Sequence, residues 1–144
     1  MSEPAFYSLL LRTWIVLSVV MFVVLMRRPA PYGRHATSRW GPAVRPQLGW
    51  LVMEAPAAIL FLVWYMVGAD RTWVGTVFLL MWQAHYAHRA FRYPSTLSPE
   101  ARPIPLVVVS FGVLFNSTNT YLNARYLFTL SPGYDISWLA DPRF

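Results

Sequence analysis

Long apolar runs alternate along the chain with short polar, arginine-bearing interruptions. A helix that crosses a bilayer needs about 20 mostly apolar residues, and residues 6–26, 48–67, 73–91 and 103–130 meet that pattern. The first run carries only Arg12, close enough to its start to snorkel toward the interface. A signal peptide would place its positive cluster before the apolar run. Here Arg27 and Arg28 follow it and no small-residue cleavage site appears, so the run reads as a retained span. The second run is interrupted only by Glu54, and Gly68-Ala69-Asp70-Arg71 then turns the chain so that the third run lies antiparallel to it. The third ends in His85, Tyr86, His88 and Arg89, followed by the turn residues Pro94, Ser95, Ser98 and Pro99. Pro103 and Pro105 are expected in the first turn of the fourth helix, where proline is tolerated, and Ser131-Pro132-Gly133 should end it. The pattern predicts an all-α integral membrane bundle of four transmembrane helices in a single domain over residues 1–144, without internal repeats.

Composition sharpens this picture. Of the 144 residues, 56% are apolar and only 12% charged, about half the charged share of an ordinary globular protein. The absence of cysteine excludes disulfide scaffolds, thiolate metal sites and cysteine nucleophiles. All 12 basic residues are arginine and the net charge is +6. A nucleic-acid partner is not expected, because the arginines fall between apolar runs. Loop one holds Arg27, Arg28, Arg34, Arg39 and Arg45, and loop three holds Arg92 and Arg102. The other side has Glu3, Asp70 with Arg71, and a tail with Asp135, Asp141 and Arg143. The positive-inside rule therefore puts the N-terminus outside and the arginine-rich loops in the cytoplasm; a bacterial inner membrane is the expected location.

Candidate chemistry starts at Glu54, since a carboxylate inside a span is costly and persists where partners or function offset the cost. At 1.5 Å per residue, Glu54 lies roughly 6 Å inside the cytoplasmic boundary and Tyr86, on the antiparallel neighbour, roughly 7 Å. An apolar site favours the neutral acid, which can donate a hydrogen bond as a phenol can. Two such donors suit the polarisation of a carbonyl oxygen as negative charge builds on it. The alternatives are a polar contact between helices, or pairing of Glu54 with a loop arginine. His85, His88 and Arg89 share a face by spacing, but no third ligand stands at a recognisable spacing, so no metal is expected. Asn116, Asn119 and Asn123 form a polar seam that should face the bundle interior, as hydrogen-bonding contacts or as pocket lining. No dinucleotide fingerprint, phosphate loop, zinc-protease helix or serine elbow is present.

Several motifs in order resemble the steroid 5α-reductase family. They are Pro31-Tyr32-Gly33-Arg34-His35, Trp50 with Met53-Glu54-Ala55-Pro56, and His85-Tyr86-Ala87-His88-Arg89 with Tyr93. Arg102-Pro103-Ile104-Pro105, Phe115 with Asn119, Tyr126-Leu127, and Trp138 with Asp141-Pro142-Arg143-Phe144 follow at similar spacing. The resemblance implies a membrane-embedded reductase that uses NADPH to saturate the Δ4 double bond of a 3-oxo steroid or similar lipid enone. It implies that Glu54 and Tyr86 bind the C3 carbonyl and that Trp50, Met53, Phe115 and Asn119 contact the substrate. Tyr32, Arg102 and Arg89 are the implied NADPH contacts. Met53 stands where many members have glutamine. The family has seven helices, and most NADPH contacts come from the last three, so the chain is expected to be the N-terminal part of a longer protein whose remaining helices complete the site. A polyprenol or enoyl-CoA reductase of the same superfamily, or a non-catalytic four-helix membrane subunit, are the alternatives.

Overall fold

A computed structural model describes residues 1–35, 38–69 and 71–140. Its architecture is four long helices: α1 (Glu3–Arg27), α2 (Pro46–Val67), α3 (Trp73–Ala87) and α4 (Leu106–Arg125). α3 continues through a wider π-helical turn, His88–Arg92, and α4 through another, Tyr126–Leu130. α2 opens on Pro46, whose missing N–H costs nothing in a first turn. α3 opens on Thr72, whose side chain accepts from the Gly75 amide at 3.1 Å.

Helix α4 begins later than the prolines suggested. Ile104–Pro105 forms a short strand, β2, antiparallel to β1 (Ala43–Val44), with Ala43 opposite Pro105 and Val44 opposite Ile104. The Leu106 amide donates to the Pro42 carbonyl at 2.9 Å. Proline here serves an edge strand rather than a helical turn, because each partner strand offers only two residues and pairing needs few donors. The clip ties the loop before α2 to the entry of α4.

α2 lies at the centre. Phe61 of α2 packs with Leu79 of α3 and with Ala124 and Phe128 of the α4 segment. A second cluster joins Met53 to Ile104 and Val109. Trp82 donates to the Ala57 carbonyl at 3.0 Å and Gln83 to the Ala58 carbonyl at 2.9 Å, which fixes the register of α3 on α2. Close approach of α4 to α2 depends on Gly112, where an added Cβ would come within 2.6 Å of the Met53 side chain. α1 has no buried residue. It runs antiparallel to α4, its start held by a Tyr7 hydroxyl bond to the Leu122 carbonyl at 3.0 Å.

Two helices, α1 and α2, are long and apolar enough to cross a membrane. α3 has 15 regular residues before its π turn, and α4 carries the asparagine seam that lowers its hydropathy. Asp70, Asp141 and Arg143, which entered the charge comparison, lie outside the described residues, as does the motif at 141–144.

Candidate active site

The register set by Trp82 and Gln83 brings Tyr86, one turn beyond Trp82, to the level of Glu54 on α2. Both are buried, and Asn116 of α4 hydrogen-bonds to each of them. Its Nδ2 donates to the Met53 carbonyl at 2.7 Å and to Glu54 Oε2 at 3.3 Å. Its Oδ1 accepts from the Tyr86 hydroxyl at 3.3 Å. Three helices therefore meet in one buried polar network.

The other oxygen of Glu54, Oε1, accepts from Arg89 at 2.6 Å. Glu54 thus has an α3 arginine as its partner, not one from a loop. The π-helical turn at His88–Arg92 carries this arginine; such turns interrupt regular helices often at functional positions. The side chain of Glu54 is 6% exposed and that of Arg89 is 40% exposed. The guanidinium lies 5.1 Å from the centre of the Trp50 ring, and Tyr93 meets the same ring edge-on at 5.0 Å. Both oxygens of Glu54 therefore have donors, Arg89 on Oε1 and Asn116 on Oε2.

These groups form one wall of a cavity of about 630 Å³. Tyr32, Trp50, Met53, Phe115 and Arg89 line it together with Glu54 and Tyr86. Asn119 and Arg102 are outside its lining: Asn119 lies near the Tyr86 phenol and accepts from Asn123, and Arg102 is exposed, two residues before the lining residue Ile104. His85 and Arg89 line the cavity, whereas His88 is exposed and outside its lining: at about 3.6 residues per turn it lies on the far side of His85 from Tyr86 and Arg89. The asparagine seam is graded in the same way. Asn116 is buried, Asn119 half-buried, and Asn123 exposed with its amide turned back on the Asn119 carbonyl. Leu25, Val108, Phe111 and Gly112 also line the cavity, none of them marked by the motifs. A second cavity, about 620 Å³, shares His85 and Tyr86 with the first and lies toward Tyr7 and Tyr134.

Among the described residues no group of three His, Cys, Asp or Glu side chains could hold a metal. For an anionic cofactor the donors lie at the cavity's own end of the bundle. Arg27, Arg28, Arg39, Arg45, Arg92 and Arg102 are exposed at the helix ends nearest Trp50 and Arg89. Their forked guanidinium groups match phosphate in charge and shape.

No family model matches the chain. It is homologous to steroid 5α-reductases across most of its length. It is 29% identical over 140 residues to a steroid 5α-reductase of Arabidopsis thaliana, covering 93% of this chain and 53% of that protein. To 3-oxo-5α-steroid 4-dehydrogenase 1 of Bos taurus it is 33% identical over 133 residues, 89% of this chain and 51% of the relative. To 3-oxo-5α-steroid 4-dehydrogenase 2 of Rattus norvegicus it is 30% identical over 130 residues, 85% and 48% of the two chains. The chain spans about half the length of the curated relatives it matches.

Proposed function

We propose, from the chain's homology to steroid 5α-reductases and the cavity around Glu54 and Tyr86, that it forms the substrate side of a membrane-embedded, NADPH-dependent reductase. The reaction is saturation of the Δ4 double bond of a 3-oxo steroid. The observation that carries this reading is the buried link from Glu54 through Asn116 to Tyr86 in the wall of a largely apolar cavity. A few convergent polar groups in an apolar pocket orient a ligand by its polar end, and a steroid enone presents one carbonyl on a rigid hydrocarbon body.

NADPH, when bound, supplies the hydride that adds to the β-carbon of the enone. As that carbon is reduced, the electron pair of the double bond moves toward the carbonyl oxygen, and a proton then completes the α-carbon. Tyr86 holds the oxygen by donating its phenolic proton where the negative charge grows. Glu54 becomes the second donor when a proton replaces Arg89 at Oε1, on the side where the guanidinium is 40% exposed. Trp50 and Phe115 hold the steroid and exclude water, with Met53 beneath them. Tyr32, Arg89 and Arg102 contribute to holding NADPH, and the rest of that site belongs to the half of the relatives that this chain does not match. All four helices cross the bilayer in this reading, with the arginine-rich end cytoplasmic.

The test is turnover by the complete protein in detergent or nanodiscs, given NADPH and a Δ4-3-oxo steroid. Loss of enone absorbance with a mass gain of two hydrogens is the expected result. Tyr86→Phe should lower turnover by about 10²–10³, the range for removing one oxyanion-directed donor. Wild-type turnover in Tyr86→Phe, normalised to folded protein, would remove the carbonyl-polarising role. A protein that binds the steroid without ever reducing it would be the non-catalytic subunit.

A further inference from the structure

The amide of Asn116 makes three hydrogen bonds, all of them inside the bundle. Both Nδ2 hydrogens have acceptors, the Met53 carbonyl at 2.7 Å and Glu54 Oε2 at 3.3 Å, and Oδ1 accepts from Tyr86 at 3.3 Å. Its orientation is fixed by this chemistry. A flipped amide would set Oδ1 2.7 Å from the Met53 carbonyl, which can only accept. With Oδ1 held toward the phenol, the Tyr86 proton points to Asn116 and the oxygen is kept at one position in the cavity wall. The bond at 3.3 Å is long for a hydroxyl donor, so it holds the phenol yet competes weakly for its proton.

We infer that Asn116 is a positioning residue for the proposed reaction: it holds Tyr86 and Glu54 in one register and leaves the Tyr86 proton free to transfer its hydrogen bond to an incoming carbonyl. The inference rests on the functional reading given above and adds a residue to it. The local fold explains how α4 delivers the amide. Gly112, Asn116 and Thr120 follow one another at successive turns. The missing side chain at Gly112 lets α4 approach Met53 closely enough for an amide one turn later to reach the Met53 carbonyl. A bulkier residue at 112 would move Asn116 away from α2 before any polar group was changed.

Asn116→Leu keeps the volume and removes all three bonds. In the complete protein with a Δ4-3-oxo steroid and NADPH, it should lower kcat at least tenfold with KM changed less than threefold. A misplaced donor weakens the transition state more than the ground state. Made in the Tyr86→Phe background, the same substitution should cost clearly less than in the wild type, because the part of its effect that passes through the phenol is already gone. A second readout is the infrared carbonyl band of a bound steroid whose only carbonyl is at C3. The wild type should shift it to lower frequency, and Asn116→Leu should return it most of the way toward its unbound position. An equal kcat loss in both backgrounds, or wild-type kcat per folded molecule, would overturn the positioning role and leave the functional reading standing. Should Asn116→Leu fail to fold, Asn116→Gln, which keeps amide chemistry on a longer arm, should fold and still lose at least fivefold in kcat; full activity there would overturn the role. Absence of enone reduction by the wild type would overturn the functional reading and this role together.

Discussion

Two ion pairs occupy opposite ends of the helical bundle and share one construction. At one end Arg89 meets Glu54 at 2.6 Å with its guanidinium 5.1 Å from the Trp50 ring; at the other Arg125 meets Glu3 at 2.6 Å with its guanidinium 5.0 Å from the Trp64 ring. They differ in which partner is hidden. Glu54 is 6% exposed against 40% for Arg89, whereas Glu3 is 43% exposed against 14% for Arg125. Arg125 also donates to Thr129 at 2.7 Å, so the hidden cation is tied down at several points. The Arg125 pair joins the start of α1 to the end of α4 and has no place in the lining of either cavity. The Arg89 pair faces a cavity, and there the arginine is the member with access to water. In the proposed reading identical contacts serve different ends: a hidden arginine with a wet carboxylate clamps helices, and a hidden carboxylate with a wet arginine leaves an acid that can be uncovered.

The largest expected difference lies in activity on removing each carboxylate. Glu54→Ala should lower steroid turnover by about 10² or more, comparable with the loss of an oxyanion-directed donor, while Glu3→Ala leaves turnover within a factor of two. Glu54→Gln should be milder than Glu54→Ala, since an amide can still donate to a carbonyl, although it cannot exchange a proton. Turnover normalised to folded protein checks all three. An equal loss in Glu3→Ala and Glu54→Ala would mean that both pairs act through helix packing alone.

Much of this comparison was legible in the sequence, and the illegible part has a definite cause. Glu54 stood out because a carboxylate in an apolar run is costly, and Tyr86 because the tight turn after α2 set it at the same depth. The apolar runs at 6–26, 48–67 and 73–91 fall within the helices and their continuations because apolar run length is a local property. Arg125 escaped notice. It lies far inside the fourth apolar run, and its partner Glu3 is 122 positions away. The bridging amide of Asn116 escaped in the same way, since the spacing of three asparagines marks a face of α4 but says nothing of which partner helix that face meets. The π turns at His88–Arg92 and Tyr126–Leu130 leave no simple periodicity to read. The β1–β2 clip was missed because two-residue strands rest on pairing across distant segments.

Stability should separate the pairs next. Arg89→Leu leaves a buried carboxylate with Asn116 as its remaining donor, and breaking a buried pair from one side is far costlier than removing both members. The Tm of Arg89→Leu should therefore fall by several degrees. Adding Glu54→Gln in the same chain should restore most of that fall, because the orphaned charge is gone. For the opposite pair the second substitution should rescue nothing, since Glu3 without Arg125 is simply hydrated. The measurement is thermal unfolding of the two single variants and the two double variants, Arg89→Leu/Glu54→Gln and Arg125→Leu/Glu3→Gln. No rescue at Glu54 would show that Arg89 contributes packing on Trp50 rather than charge compensation.

The smallest expected effects come from the two tryptophans, and they also diverge. A cation above an indole face contributes about 0.5–1 kcal/mol where water still reaches it, and phenylalanine keeps part of that attraction and most of the ring. Trp64→Phe should therefore lower Tm by no more than a few degrees and leave steroid binding unchanged, because Trp64 packs against Tyr121 and the Phe61 cluster away from the Glu54 cavity. Trp50→Phe should cost a similar amount of stability and also weaken steroid binding several-fold, because Trp50 lines that cavity and sets the resting place of Arg89. Equilibrium binding of a Δ4-3-oxo steroid alongside thermal unfolding separates the two effects. If Trp50→Phe and Trp64→Phe weakened binding equally, the cavity beside Glu54 would not be where the steroid rests, and the distinction between an uncoverable acid and a helix clamp would lose its functional meaning.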